Sequence, residues 1–463
     1  MTNDLTKGNP AKLILLFTLP YLIGNLFQQL YNIADTVIVG RTLGVDALAA
    51  VGSTGCLVWF AMGFVHGVCT GFSVITARCF GAGDKGGVRR AFAMSLVLAA
   101  IMAVIMTTLC LLFVKGLLKL MNTPDDIFDR AYIYITVIFA GIPATTLYNL
   151  LSNQIRALGN SRTPLIFLIV ASIINVVLDY VLILVFNMDV AGAGVATVIA
   201  QLVSGVLCVV YIAHKVPLLH LTKDDFEFNV PIVRNLLHVG LPMGFLNMIL
   251  SIGSITLQWA TNQLSTTAVA TITAANKLEQ IANQPVQSFG AAISVYAAQN
   301  YGARDINRVR QGVNSSIIMS LIWVAISSVI MILFGRNLMH LVVGSDALPI
   351  IISDGRLYMI INTVCMVLLS PLVVYKSVLQ SLGRAFMPTA SGFAEVLCRA
   401  GVAVFLALEF GFIGLCFANP AAWIGALLFL VPDYFIYMRK LSKANTNQTH
   451  KQSAYEFDIV CSE

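Results

Sequence analysis

Twelve apolar runs follow one another along the chain, at 12–39, 47–79, 91–114, 131–155, 163–186, 191–213, 233–261, 267–299, 313–334, 355–380, 388–409 and 411–438. A helix needs ~20 predominantly apolar residues to cross a bilayer, and each run is long enough. No water-soluble core spreads apolar residues so evenly. Of the 463 residues 58% are hydrophobic and only 11% charged, against roughly 25% charged in soluble domains. The longest polar stretches, 214–234 and the end beyond 440, are shorter than a soluble domain. That excludes an ATP-hydrolysing domain, and no Gly-Lys-Ser/Thr phosphate loop occurs. The expected fold is an all-α membrane protein with twelve transmembrane helices.

Charge sets the expected orientation. With both termini cytoplasmic, twenty of the 28 Lys and Arg residues fall in cytoplasmic segments and six in outer loops. This is the bias that the positive-inside rule describes. Lys277 and Arg399 fall inside spans. The net charge of +6 therefore belongs to loops, and no nucleic-acid partner is expected. Asp4, Lys7 and Lys12 precede a run too long for a cleavable signal core, and no small-residue cleavage site follows it. Eight of the nine cysteines (Cys56, Cys69, Cys79, Cys110, Cys208, Cys365, Cys398 and Cys416) lie in or beside apolar runs without paired ligand spacing. They are expected to be small, reduced core residues. No cofactor is expected.

The two halves repeat. Residues 73–84 read SVITARCFGAGD and residues 294–305 read SVYAAQNYGARD, a shift of 221. Leu19-Pro20 matches Leu241-Pro242 at a shift of 222, and Leu158-Gly159 with Pro164 matches Leu382-Gly383 with Pro388 at 224. Order and spacing survive together, so a six-helix unit has been duplicated. Six is even, so each half enters from the same side, giving two parallel-repeat six-helix lobes. The expected organisation is an N-terminal lobe over 1–213, a cytoplasmic linker over 214–234, a C-terminal lobe over 235–440 and a polar cytoplasmic tail over 441–463.

An ionisable group within a span costs ~2.5–3.5 kcal/mol on insertion scales. Asp35 lies near the outer end of span 1, and Asp179 in the outer half of span 5 with Asn175 four residues earlier on the same face. Thr197 enters span 6 from outside at a similar depth. Two carboxylates, an amide oxygen and a hydroxyl suit a small hard cation such as Na⁺. The carboxylates could instead share a proton, because burial and like charge both favour a protonated form. A protonated structural pair is the bland alternative. The other lobe lacks the cluster, since the repeat places Arg399 opposite Asn175, Ala403 opposite Asp179 and Leu257 or Thr256 opposite Asp35. Glu395 and Arg399 are four apart on span 11 and read as a structural ion pair. Gln28 and Tyr31 share the face of Asp35. With Glu279 they are candidates for lining a substrate cavity. Pro20 breaks a backbone bond within span 1 and is the candidate conformational hinge.

The stretch QLYNIADTVIVG at 29–40, RALGNSRTP at 156–164, NVVLDY at 175–180 and the YGA-type ends of spans 2 and 8 resemble the MATE family (multidrug and toxic compound extrusion). The likeness leans toward its bacterial MepA/DinF-like branch and covers nearly the whole chain. It implies a multi-pass cell-membrane antiporter that exports cationic lipophilic small molecules in exchange for H⁺ or Na⁺. It also implies cation-coupling roles for Asp35, Asn175, Asp179 and Thr197, a bending role for Pro20 and a cavity-lining role for Tyr31. Span 7 departs from some relatives in carrying no acid, which speaks against a Na⁺ site in the C-terminal lobe. A lipid-linked saccharide flippase is the alternative of related architecture. It would want more cations in its cavity than Lys277 and Arg399. An intramembrane protease reading of Gly81-Ala82-Gly83-Asp84 fails because Asp84 sits in a basic loop, as its repeat mate Asp305 does. No enzyme is expected.

Overall fold

The computed structural model describes residues 3–121, 123–262, 266–343 and 348–448. Residues 449–463 of the expected tail lie outside the described residues. Among these there is no β-strand; fourteen α-helices follow in order. They are α1 (Pro10–Leu43), α2 (Val45–Gly81), α3 (Lys85–Leu120), α4 (Asp125–Ala140), α5 (Ile142–Ala157), α6 (Arg162–Tyr180), α7 (Asp189–Lys215), α8 (Val230–Asn262), α9 (Thr266–Gly302), α10 (Ile306–Val343), α11 (Pro349–Ser381), α12 (Phe386–Phe410), α13 (Phe412–Cys416) and α14 (Ala418–Gln448). Ten of the helical stretches are long and apolar enough to cross a bilayer, the last of them combining α13 with α14, and the pair α4–α5 makes an eleventh. The 37-residue α9 is long enough but more polar, carrying Lys277 and Glu279. Every apolar run thus coincides with a helix or a broken helix.

The run at 131–155 is not one straight helix. It bends by 44° between α4 and α5. Gly141 sits at the break and Pro143 follows at the second position of α5, where its missing N–H costs nothing. Gly141 also lets α7 approach, since a Cβ there would meet Val198 at 2.2 Å. A second irregularity follows α6, whose last turn widens into a π-helix over Val181–Val185. Such turns gather at functional sites. Asp179 lies two residues before it.

The chain divides into two compact units. Among the described residues, one comprises Leu19–Met248 with the N-terminal residues up to Leu5, and the other comprises Thr6–Thr18 with the chain from Ile249. In the first unit, α2 packs on α3, α4 and α5, and α7 packs on α4, α5 and α6. In the second, α11 packs on α9, α10 and α14, and α12 on α14. Cys56, Cys69, Cys110, Cys208, Cys365, Cys398 and Cys416 are free, as expected. Cys79 corrects that expectation: it is disulfide-bonded. Spacing along the chain reveals ligand pairs but not bonds formed across a fold.

Between the repeats the chain turns through short 3₁₀ segments at Pro217–Leu219 and Lys223–Phe226. Thr222 and Asp225 form a reciprocal capping box there, and Arg89 at the start of α3 donates to Asp225 Oδ1 at 3.3 Å. Desolvation pushes the Asp225 carboxyl up, but the Thr222 backbone and hydroxyl donors and the Arg89 guanidinium outweigh it and hold it below its ordinary 3.8. A depressed carboxyl stabilises above its unfolded pKa, so this contact is complete at neutral pH and is lost only as pH falls below 3.8. Asp225→Asn is expected to loosen the segment at all pH values. Amide exchange over 217–226 should quicken roughly fivefold, the equivalent of a lost cap at ~1 kcal/mol. Unchanged exchange would show that the segment is held by something else.

Candidate functional site

The acidic cluster assembles within the first unit from α1, α6 and α7. Asn175 and Asp179 lie one turn apart on α6 and are buried, 1% and 0% exposed. Thr197 reaches in from α7, its hydroxyl accepting from Asn175 Nδ2 at 3.4 Å. Asp35 lies on α1 with its carboxyl facing that of Asp179. Apart from the contact between the two carboxyls, Asp35 Oδ1, Asp179 Oδ1, Asp179 Oδ2 and Asn175 Oδ1 meet no hydrogen-bond donor among the described residues. No Lys or Arg forms an ion pair with either acid among the described residues. An unpaired buried carboxylate is strongly disfavoured. The cluster is therefore a set of oxygen acceptors without a counter-charge from the protein, a donor set that suits a hard cation or a shared proton.

Around the acids the lining is partly aromatic and amide. Tyr31 contacts Gln28 on its own helix and Gln201 on α7, and it lies within electrostatic reach of Asp35. Tyr31, Ser172, Asn175, Thr197 and Gln201 line one small cavity with Leu168, Ala171 and Ala200. Tyr134 on α4 lies within reach of Asp35, Tyr31 and Asp179. Sequence reasoning missed Tyr134, Ser172 and Gln201. A signal existed for the last two: Ser172, Asn175 and Asp179 share one stripe of α6, and Gln201 follows Thr197 by one turn. Beyond the acids, Ile38, Val39, Ala47, Ile183, Val190 and Ala193 form a buried apolar cluster against which Tyr134 also packs.

The remaining candidates fall elsewhere. Pro20 lies within α1, which continues through it as one helix, leaving the Leu16 carbonyl without its usual donor. In the second unit, Arg399 Nη2 donates to Glu395 Oε1 at 2.9 Å, with both side chains at least nine-tenths buried. Glu279 is 8% exposed, with Oε2 lacking a partner. It sits beside Tyr358 and within reach of Arg399. The Tyr358 hydroxyl donates to Asn276 Oδ1 at 3.0 Å and accepts from Asn419 Nδ2 at 3.3 Å. Glu279 thus belongs to a polar network of its own lobe. Asp433 is accounted for by an ion pair with Arg384.

Comparison with known proteins places this architecture. The profile of the MatE family matches residues 20–181 and 242–405, one block in each repeat. The chain belongs to the MatE family. It is accordingly a multi-pass membrane transporter and not an enzyme. A relative named "Probable multidrug resistance protein YoeA" from Bacillus subtilis is 25% identical over 95% of this chain and 97% of its own length. Another, named "FAD transporter", from Shewanella oneidensis, is 24% identical over 72% of this chain and 74% of its own. A solved structure titled as the outward-facing conformation of a multidrug resistance MATE family transporter superposes with a TM-score of 0.88. It is 23% identical and is covered over 95% of this chain and 99% of that one. That likeness carries the fold: twelve helices in two lobes.

Proposed function

We propose that this MatE transporter is a secondary antiporter that exports cationic lipophilic compounds in exchange for H⁺ or Na⁺, with coupling at Asp35, Asn175, Asp179 and Thr197. The observation that carries this reading is the meeting of the Asp35 and Asp179 carboxyls beside Asn175 and Thr197 with no ion-pairing Lys or Arg among the described residues. Two facing carboxyls with no counter-charge attract any cation that reaches them. A coupling ion and a cationic substrate compete for that attraction, and competition is what exchange requires. Facing outward, the cluster takes up the coupling ion and releases the drug. Facing inward, it loses the ion and regains drug affinity. The distribution of Lys and Arg supports a cytoplasmic position for both termini. Tyr31 and Gln28 line the path to the acids, and Pro20 is the hinge through which α1 responds.

The flippase alternative needs free cations to hold a pyrophosphate. Of the two cations that fall inside the expected spans, Arg399 is already engaged by Glu395, which weakens this alternative in the C-terminal lobe only. The deciding experiment is ethidium efflux from proteoliposomes under imposed Na⁺ and pH gradients applied separately. One gradient is expected to drive efflux and the other not. Efflux indifferent to both would end the antiport reading.

A further inference from the structure

The second polar cluster of the first unit has the opposite character. Arg156, in the last turn of α5, is placed by sequence in a cytoplasmic loop. Its side chain instead leans back along its helix, as helical side chains do. Nη1 donates to Asn153 Oδ1 at 3.2 Å, and the guanidinium stacks 4.8 Å from the ring of Tyr21 on α1. It lies within electrostatic reach of His66 on α2, Tyr148 on α5 and Cys208 on α7. Asn153 in turn donates to Thr70 at 3.3 Å, and His66 pairs with Asn149 at 3.3 Å. The half-buried guanidinium thus lies between α5 and the Tyr21 ring of α1, within electrostatic reach of α2 and α7.

What it lacks is an anion. Among the described residues no carboxylate comes within ion-pair range of Arg156. Asp35 faces Asp179, Asp46 lies in the first turn of α2 at its far end, and Asp189 is taken by Arg130 at 3.0 Å. Arg156 Nε and the Tyr148 hydroxyl are buried with no hydrogen-bond partner. A guanidinium presents five donors in a fork matched to oxyanions. The fold does not demand a cation here either. The repeat that aligns Leu158-Gly159 with Leu382-Gly383 puts buried Gln380 at the equivalent position.

We infer that Arg156, with Tyr148 and Asn153, forms a subsite for an oxyanion within the N-terminal lobe, so that this transporter accepts compounds carrying a carboxylate or phosphate. The oxyanion has two sources, a group on a transported substrate or a free inorganic anion. Two probes separate them. Rhodamine 19 and its ethyl ester rhodamine 6G differ by one carboxylate, and their binding to the purified full-length protein is read by fluorescence anisotropy. Pyrophosphate, compared with chloride at matched ionic strength, is read by its shift of the unfolding temperature.

Arg156→Gln, the residue of the other repeat, is expected to weaken rhodamine 19 by about tenfold or more while leaving rhodamine 6G unchanged. Arg156→Lys should retain part of the difference. A pyrophosphate-dependent stabilisation present in the wild type and absent in Arg156→Gln also supports the subsite and assigns it to a free anion. If the acid and the ester respond alike and pyrophosphate protects both proteins equally or neither, the subsite does not exist. The dye arm rests on the export reading, but the pyrophosphate arm does not. Failure of rhodamine 6G to bind the wild type would count against export alone.

Discussion

Asp179→Asn is expected to abolish gradient-driven efflux while leaving the protein folded and inserted. Asparagine keeps the volume and one oxygen, so the packing of a fully buried position survives. It cannot take up and release a proton, and it halves the formal charge of the facing pair. The driving force at stake is large: ~2.3 kcal/mol per charge moved through 100 mV and ~1.4 kcal/mol per pH unit for each proton. Losing the group that collects that energy should lower net dye efflux at least tenfold, equivalent to ~1.4 kcal/mol. Asp35→Asn should do the same, and the double variant should be no worse than either single, because residues acting as one unit are not additive. Efflux rates in proteoliposomes, normalised to inserted protein, provide the measurement. Near wild-type efflux by Asp179→Asn would remove the acids from the coupling mechanism.

The second large effect concerns stability. Glu395 and Arg399 are paired at 2.9 Å on α12 with little solvent to screen them. Removing one partner strands the other, at ~3–5 kcal/mol in buried pairs. Glu395→Leu should therefore unfold this lobe at much lower temperature. Replacing both, as Glu395→Leu with Arg399→Met, should restore most of the loss, since an apolar pair of similar volume is often neutral. Restoration will be incomplete if Glu279 depends on the nearby guanidinium. Thermal unfolding of the wild type and the two variants in detergent separates these cases. If the double variant is as unstable as the single, the pair is held for more than charge neutralisation.

The fold was legible because each helix announces itself by length and apolarity, and a bilayer allows few other solutions. The acids were legible for a related reason. Topology fixes depth, so residues at matching depth on neighbouring helices meet, and Asn175 and Asp179 share a face by spacing alone. What stayed hidden is lateral direction. Nothing in the run at 131–155 says which way Tyr134 points, and hydropathy averaging passes over the break at Gly141 and Pro143. Arg156 was hidden most deeply. Charge counting places it in a loop, while its long stem carries the guanidinium back along α5 to Asn153 and the Tyr21 ring of α1. Glu279 was visible as a cost, but its partner Tyr358 lies two helices further along the chain.

The facing acids also constrain how the chain is made. Asp35 leaves the ribosome within α1, and its mate on α6 is still about 140 residues away, a delay of roughly 7–28 seconds at ~5–20 residues per second. Through that interval α1 carries the Asp35 carboxyl without its mate. Substitutions that remove Asp35 should then ease early insertion even as they silence the finished protein. Expression level is consequently a poor surrogate for activity at this position.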